Sequence, residues 1–282
     1  HGAQRSLFIP LIARARASLW SPFLSPSCDP QDRCAQEVLA RSCEPCAEYP
    51  LDAPTAINIL WRTCRIRGMA RAFFEQHPHA LGVNLGAGLT DYFQWLDTGH
   101  NRWLDVDMPD VVALRQQLLP IHGAHRRLAT ADLREPGWWR ALGLPERNHA
   151  SPPVFVQCEG VMMYLTPRQA HAALHEFAER APDGSQWAMD VISSLGVGCA
   201  GLVPSLAASG AQFRWGVRDL ADTAGFPLAL AIFSLFLLLP EEEAPLRVTR
   251  FSDVRAGTAA VIAGVILGAR PGAARGVLEA MG

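Results

Sequence analysis

Short apolar segments alternate with helical segments from residue 79 onward, and this alternation constrains the fold more than any other feature. Helical spacing of apolar residues is found over about Ile59–His77 and Asp107–Leu119, and a third helix begins at a capping box, Thr166-Pro167-Arg168-Gln169. Strands alternating with helices at this pitch predict an α/β fold with a mostly parallel sheet covered on both faces. The predicted strands are Leu81–Leu85, Asn101–Asp107, Leu128–Ala131, Val154–Cys158 and Gln186–Val191, followed by the candidates Phe226–Leu239 and Ala259–Leu267.

The composition excludes several classes of protein. The chain has 282 residues, of which 49% are hydrophobic, and its formal net charge is -2. Such a chain is too apolar to be disordered and too evenly charged to hold nucleic acid by its net field. Every basic residue is arginine, so a Schiff-base lysine and a Walker-A lysine are excluded. The longest apolar run, Phe226–Leu239, is shorter than the roughly 20 residues of a membrane-spanning helix. We expect a cytoplasmic protein without a membrane or nucleic-acid partner.

Four of the seven cysteines lie close together in the N-terminal segment, at Cys28, Cys34, Cys43 and Cys46. A structural zinc site is one interpretation, since Cys43 and Cys46 form a CxxC pair. The other spacings are irregular, which favours half-buried thiols, and we assign no metal ligand. The odd number of cysteines also argues against a secreted disulfide scaffold.

A buried strand that ends in a Gly-x-Gly turn is the most informative local motif. The turn is Gly86-Ala87-Gly88, and Asp91 stands where the dinucleotide fingerprint has its third glycine. A carboxylate there disfavours a pyrophosphate. Asp105 and Asp107 follow Gly86 by 19 and 21 residues, where an acidic side chain can bind a ribose diol. Together these features favour S-adenosylmethionine, although Asp107 could instead cap the next helix.

Several further motifs occur in the order and spacing of one known family. The chain resembles the leucine carboxyl methyltransferase-like family of class I S-adenosylmethionine-dependent methyltransferases, including its bacterial polyketide-type O-methyltransferase branch. The agreement extends over about Phe8 to Val191. The matching motifs are Asn84–Leu89, Trp103–Pro109, Ala131–Leu133, the pair Trp138-Trp139, and Glu159–Leu165 with the sequence EGVMMYL.

The resemblance implies a single Rossmann-like domain with a mostly parallel seven-stranded sheet. Its expected parts are an N-terminal helical or cap region (1–78), a cofactor-binding core (79–194), an insert or lid (195–215) and the C-terminal part of the sheet (216–282).

The resemblance also implies the residues that bind the nucleoside part of the cofactor. Asp107 is expected to bind the ribose, with Asp105 as the less favoured alternative. Asp132 and Leu133 are expected to flank the adenine. Asp132 could equally be an ordinary turn residue.

The methionine part of the cofactor is assigned in the same way. Gly86, Ala87 and Gly88 are expected to form the turn beneath it, and Glu159 to face its ammonium group. Arg62 is expected to bind its carboxylate, because a guanidinium matches a carboxylate in shape and charge. Arg65 and Arg67 are rivals for that role, and a solvated helix charge is the alternative for Arg62.

One departure from the family pattern lies in the glycine loop. The family usually continues Gly-Leu-Asp-Thr-Arg, whereas this chain has Gly88-Leu89-Thr90-Asp91-Tyr92. The acidic and hydroxyl residues are transposed and the arginine is lost. The sequence therefore does not show which residue makes the contact usually made there.

The predicted activity is methyl transfer from S-adenosylmethionine to a carboxylate or hydroxyl oxygen of a small, hydrophobic metabolite. The acceptor pocket is expected between the N-terminal helices and the insert. His122, His125 and His171 are candidate bases, but nothing in the sequence selects one, so no catalytic residue is assigned. The alternatives are carboxyl methylation of a protein C-terminus, a catalytically silent cofactor-binding scaffold, and a metal-stabilised module at the cysteine-rich segment.

Overall fold

The computed structural model describes residues 2–20, 24, 31–42, 51–119, 123–148, 150–207, 209–217 and 229–234. The helices are α1 (Gly2–Ala15), α2 (Arg33–Ser42), α3 (Ala53–Gln76), α4 (Phe93–Leu96), α5 (Pro109–Leu118), α6 (Trp138–Ala141), α7 (Pro167–Arg180) and α8 (Pro204–Ala207). The strands are β1 (Leu81–Leu85), β2 (Arg102–Asp107), β3 (Arg126–Thr130), β4 (Val154–Cys158), β5 (Gln186–Ile192) and β6 (Ala229–Ser234).

The six described strands form one parallel sheet in the order β3-β2-β1-β4-β5-β6. This confirms the predicted α/β fold, and the five predicted core strands are all present. β6 lies inside the predicted segment Phe226–Leu239. The predicted strand Ala259–Leu267 lies outside the described residues, as does most of the predicted region 216–282, so a seventh strand stays a prediction.

Helix α3 begins earlier than the apolar spacing predicts. The side chain of Asp52 caps it by accepting a hydrogen bond of 2.9 Å from the backbone N–H of Thr55. Pro54 stands in the first turn, where its missing N–H costs nothing. The cap, rather than the apolar pattern, therefore sets the start of the helix. The capping box at Thr166 is present as predicted.

The sheet face under α3 changes from apolar to polar along the strands. Because side chains alternate between the two faces of a strand, every second residue points toward α3. At the amino ends of the strands these residues include Trp103, Phe155 and Ala188, which pack with Phe73 and Phe74 of α3. At the carboxyl ends they are polar and buried, namely Asn84, Asp105, Gln157 and Asp190. On β1, β2, β4 and β5 the opposite face is apolar and packs against α6 and α7.

The N-terminal helices close over the carboxyl end of the sheet. Helix α1 packs against α2 and α3. Arg14 on α1 forms a buried ion pair of 3.0 Å with Asp32 and donates to the carbonyl of Leu89 at 3.4 Å. The N-terminal region is thereby joined to the glycine loop. Within the described ranges, no helix combines the length and apolar character needed to cross a membrane.

Candidate functional site

A cavity of about 770 Å³ opens at the carboxyl end of the sheet. It lies beside β1 and β4, where the strand order reverses direction and where ligands bind in open parallel sheets. Eight of the nine predicted site residues line it: Arg62, Gly86, Ala87, Gly88, Asp107, Asp132, Leu133 and Glu159. Asp105 is the one that does not.

The glycine turn is built for a close approach between backbone and ligand. Gly86 has φ +68°, a conformation that side chains rarely adopt, and a Cβ added there would overlap Cγ2 of Val161. The N–H groups of Gly86 and Ala87 both donate to the carbonyl of Val106, at 2.9 and 3.0 Å. The turn is thus fixed to the end of β2, and glycine is required at its first position.

Asp107 lies at the end of β2, half-buried in the cavity wall. Its two carboxylate oxygens accept hydrogen bonds of 2.7 Å from the backbone N–H groups of Gly88 and Met108. Burial raises the pKa of Asp107, and these two hydrogen bonds oppose the rise. Met108, not Asp107, stands at the N-cap of α5, so the capping interpretation is wrong. A carboxylate has about four acceptor positions, so Asp107 retains capacity for two hydroxyl groups.

Asp105 is not at the ligand, contrary to its place among the predicted site residues. Its side chain is fully buried and accepts from Asn84, Trp103 and Arg115 at 2.8 to 3.0 Å, and from Arg126 at 3.4 Å. Arg115 in turn donates to the carbonyls of Gly88 and Thr90, at 2.9 and 2.7 Å. Asp105 therefore supports the glycine loop indirectly: it orients Arg115, and Arg115 donates to the loop carbonyls.

The transposed loop residues are also held from below. Asp91 accepts two hydrogen bonds from Arg126 of β3, at 2.8 and 3.3 Å. We call Asp91, Asp105, Arg115 and Arg126 the support cluster. It contains two guanidinium groups and two carboxylates. Through it, Arg126 of β3 contacts the loop, which lacks the arginine of the family pattern.

A second cluster of charged residues lies at the cavity: Arg62, Tyr92 and Glu159 line it, and Asp190 is fully buried beside them. Arg62 of α3 donates to Glu159 through Nε at 2.9 Å and to Asp190 through Nη1 at 3.1 Å. Glu159 also accepts from the hydroxyl groups of Tyr92 and Thr63. Asp190 also accepts from the N–H of Gly160 at 2.6 Å. We call Arg62, Tyr92, Glu159 and Asp190 the cavity cluster.

The cavity cluster carries one more negative than positive charge. Burial lowers the pKa of Arg62, but the carboxylates of Asp190 and Glu159 more than offset this, so the guanidinium stays charged. Burial raises the pKa of Asp190, with Arg62 and the Gly160 N–H opposing it. Burial and the neighbouring Glu159 raise the pKa of Tyr92, which remains a hydrogen-bond donor. One guanidinium between two carboxylates leaves a site that favours a cationic ligand.

The rival arginines point elsewhere. The guanidinium of Arg65 lies 5.9 Å from the ring centre of Trp61, and that of Arg67 lies 5.0 Å from the ring centre of Trp95. Neither lines the cavity. Among the three arginines, the structure brings only Arg62 to the site.

The predicted adenine residues also line the cavity. Asp132 is half-buried and forms a close ion pair with Arg134, Nη2 to Oδ2 at 2.6 Å. The hydrogen bonds from Arg134 lower the pKa of Asp132. Leu133 supplies apolar surface beside it and packs against the core under α7. The carboxylate therefore stays ionised and can still accept from an amino group.

The remaining wall of the cavity is mostly apolar. It includes Leu7, Ile9, Pro10 and Arg14 of α1, and Leu206 and Ser209–Arg214 of the segment that follows β5. The insert and the N-terminal helix thus share one cavity with the glycine turn. No histidine lies in the described part of this wall: His125 and His171 are elsewhere, and His122 is outside the described residues.

Sequence reasoning missed Asp190 and Tyr92. Asp190 carried the same signal as Glu159, a carboxylate near the end of an apolar strand, and could have been found from it. Tyr92 carried no such signal. Of the four clustered cysteines only Cys34 is described. The possible zinc site at these cysteines therefore lies outside the described residues. Cys64 is disulfide-bonded, which the cysteine count did not anticipate.

The parallel sheet, the switch-point cavity and the glycine turn together define a Rossmann-like cofactor-binding protein. The sequence model of the family described as "Leucine carboxyl methyltransferase" matches residues 19–178, more than half of the chain. The chain therefore belongs to the leucine carboxyl methyltransferase family, whose cofactor is S-adenosylmethionine.

Two curated relatives and one solved structure illustrate the likeness. The tetracenomycin polyketide synthesis O-methyltransferase TcmP of Streptomyces glaucescens is 28% identical over 162 residues, which are 57% of this chain and 57% of TcmP. The chain thus matches little more than half of that relative's length. The S-adenosyl-L-methionine-dependent methyltransferase dpfgK of Gibberella zeae is 25% identical over 77% of this chain and 76% of its own. A DUF574 family protein from Streptomyces avermitilis is 20% identical over 60% of this chain and 68% of its own, with a TM-score of 0.43.

Proposed function

We propose that this protein is an S-adenosylmethionine-dependent O-methyltransferase that acts on a carboxylate or hydroxyl oxygen of a small, hydrophobic metabolite. The observation that carries the proposal is the cavity cluster beside the glycine turn. Its surplus negative charge suits a ligand with a sulfonium and an ammonium group, and it does not suit a pyrophosphate.

The residues present fit this cofactor along the whole cavity. Glu159 already accepts from Arg62, Thr63 and Tyr92 and has one acceptor position left for an ammonium group. Nη2 of Arg62 donates to no described residue and is available to a carboxylate. Asp107 can take two ribose hydroxyl groups, and Asp132 with Leu133 can take the adenine.

Catalysis in this site rests on position rather than on proton transfer by the protein. When bound, S-adenosylmethionine supplies a methyl group that the acceptor oxygen displaces in line from sulfur. The glycine turn lets the backbone lie against the cofactor, and the cavity cluster fixes its amino-acid end. Helix α1 and residues 209–214 cover the apolar end of the cavity and limit the access of water.

The cavity wall also bears on the acceptor. A carboxylate is already ionised at neutral pH and needs no base, whereas a hydroxyl group benefits from one. Since no histidine lies in the described part of the wall, a carboxylate is the favoured acceptor. The family's description and TcmP's printed role in polyketide synthesis support the same substrate class.

Calorimetric titration with S-adenosylmethionine and S-adenosylhomocysteine tests the cofactor assignment. We expect both to bind the wild-type protein and NAD⁺ not to bind. Gly86→Ala should abolish binding, because its Cβ overlaps Val161. Gly143→Ala is the matched control: Gly143 has a similar φ of +63° but open space around it. A wild-type protein that binds neither compound refutes the proposal.

Turnover is measured separately, as transfer of a labelled methyl group to hydrophobic carboxylic acids, to phenols and to peptides with free C-termini. Transfer to the acids or phenols supports the proposal. Selective transfer to the peptides identifies a protein C-terminal carboxyl methyltransferase instead, and cofactor binding without any transfer identifies a silent scaffold.

A further inference from the structure

A smaller cavity lies at the opposite edge of the sheet, at the amino ends of β1, β2 and β3. Its volume is about 110 Å³. Leucine side chains form its apolar part, and the charged or titratable side chains that line it are Arg102, Arg127 and His125. Among the described residues no carboxylate lines it, and it shares no lining residue with the larger cavity. We call it the small cavity.

The two arginines of the small cavity lie on the same face of the sheet. Arg102 begins β2, and the strand register pairs Arg127 of β3 with Leu104. Because side chains alternate along a strand, Arg102, Leu104 and Arg127 point to one face. That face packs against α6 and α7, and the arginines stand at its amino-terminal rim, where its apolar side chains end.

The spacing of the strands brings both guanidinium groups within reach of one ligand. Neighbouring strands lie about 4.8 Å apart, and each residue advances about 3.3 Å along a strand. Arg102 and Arg127 are offset by one strand and two residues, so their Cα atoms are about 8 Å apart. Both side chains are exposed and long enough to turn toward the small cavity between them.

The positive charges of Arg102 and Arg127 have no counterion. In the part of the chain that the structure describes, neither side chain forms an ion pair or a hydrogen bond. The adjacent Arg126 points to the other face and pairs with Asp91 and Asp105. Arginine stays charged at physiological pH, and like charges on neighbouring strands repel each other. The fold thus keeps a repulsive pair at a cavity, where a bound anion would compensate it.

We propose that the small cavity binds a phosphoryl group, either as inorganic phosphate or as a phosphate monoester. Two guanidinium groups that each bind in a bidentate manner require more oxygens than the two of a carboxylate, and a phosphate supplies them. The volume admits one such group and is far below the roughly 300–1,000 Å³ of a pocket for a whole metabolite. The leucine walls exclude water, which strengthens the attraction. This inference does not rest on the proposed function.

The first test compares the melting temperatures of wild-type protein and Arg127→Gln in chloride and in phosphate at equal ionic strength. In chloride the variant should melt at or above the temperature of wild type, because it loses one of two like charges. Phosphate stabilises most folded proteins by exclusion from their surface, so the quantity measured is the difference between the two proteins. Phosphate should raise the melting temperature of wild type by at least about 2 °C more than that of the variant.

The second test measures affinity for inorganic phosphate by calorimetry. Arg102→Gln and Arg127→Gln should each weaken binding at least about tenfold, because each loses charge-assisted hydrogen bonds. Arg168→Gln is the matched control, since Arg168 is exposed, forms no ion pair within the described ranges and lines neither cavity. Its affinity for phosphate should stay within about twofold of wild type. All three variants should bind S-adenosylhomocysteine as wild type does.

Ethyl phosphate distinguishes the two sources of the phosphoryl group. Tighter binding of inorganic phosphate assigns the site to the free ion, whereas equal or tighter binding of ethyl phosphate assigns it to a phosphorylated molecule. Wild-type protein that binds phosphate but not S-adenosylhomocysteine supports this inference while the proposed function fails.

Four results overturn the inference. Wild-type protein binds no phosphate, or it binds acetate as tightly as phosphate. The control variant loses as much affinity as Arg127→Gln, which indicates binding to the surface charge in general. Arg127→Gln melts several degrees below wild type in chloride, which indicates that the arginine stabilises the fold.

Discussion

The support cluster and the cavity cluster are both buried networks of arginine and carboxylate, and they differ in charge balance. The support cluster pairs Arg115 and Arg126 with Asp91 and Asp105, and its charges cancel. The cavity cluster places Arg62 alone between Glu159 and Asp190. The first lies beneath the glycine loop and the second lies beside the cavity.

This difference shows how to distinguish a structural charge from a binding charge. Removing one partner from a fully paired buried network is strongly destabilising, because it leaves a buried charge without its counterion. A cluster with an uncompensated charge is costly unless a ligand completes it. The balance of charges, more than burial or the presence of an ion pair, therefore separates the two roles. The following predictions test that separation, from the largest expected effect to the smallest.

Asp105→Ala should produce the largest effect, which is a loss of stability. It leaves Arg115 buried without its carboxylate, which lowers the free energy of unfolding by about 3–5 kcal/mol. Urea denaturation measures the change. Asp183→Ala, at an exposed carboxylate, is the control and should shift the free energy by less than about 0.5 kcal/mol. An Asp105 variant as stable as the control means that the support cluster does not hold the loop.

Glu159→Gln should act on binding. The amide keeps the shape of the side chain but removes one negative charge, so the cavity cluster becomes neutral. The dissociation constant for S-adenosylhomocysteine, measured by calorimetry, should rise about 100-fold. Asp91→Asn removes one charge from the support cluster and should change that constant less than about threefold. Equal effects of the two substitutions contradict the charge-balance distinction.

Asp107→Ala tests the half-buried carboxylate at the end of β2, which lines the cavity. Loss of the hydrogen bonds to a ribose diol should weaken S-adenosylhomocysteine about tenfold. 5′-Methylthioadenosine keeps the ribose but lacks the amino-acid end, so its affinity for the variant should fall by a similar factor. If only S-adenosylhomocysteine is weakened, Asp107 belongs functionally to the cavity cluster and not to the nucleoside end.

The raised pKa of Asp107 predicts a pH dependence of stability. Burial favours the protonated carboxyl in the folded state, so this residue's contribution is greatest below its usual pKa of 3.8 and is lost as pH rises through the raised value. Asp107→Asn lacks this dependence. As the pH rises from about 4 to about 7, the free energy of unfolding of the variant should increase relative to that of wild type. A constant difference refutes the raised pKa.

Asp132→Asn should have the smallest effect. Its carboxylate is half-buried, paired with Arg134 and partly solvated, so the amide should change the affinity for S-adenosylhomocysteine less than about threefold. Calorimetry detects the change. A loss comparable to that of Glu159→Gln indicates that the adenine end contributes as much to binding as the cavity cluster does.

The sequence predicted the pieces that depend on local chemistry. The strands, the glycine turn and the capping box were each visible in a few consecutive residues, because alternation and cap residues act over short distances. The same reasoning could not separate Asp105 from Asp107. They lie two residues apart on one strand, and only the strand register shows that Asp105 pairs with Asn84 while Asp107 lies beyond the last paired residue of β1.

The sequence by itself thus determined the order of strands and helices, the glycine required at Gly86, and the family to which the chain belongs. Only the tertiary structure decided which charges meet. Arg62 reaches Glu159 and Asp190 across 97 and 128 residues of chain, and Arg126 reaches Asp91 across 35. Such contacts follow from sheet order and helix packing, which no local pattern encodes. The charge balance of the cavity cluster therefore depends on the packing of α3 against β4 and β5.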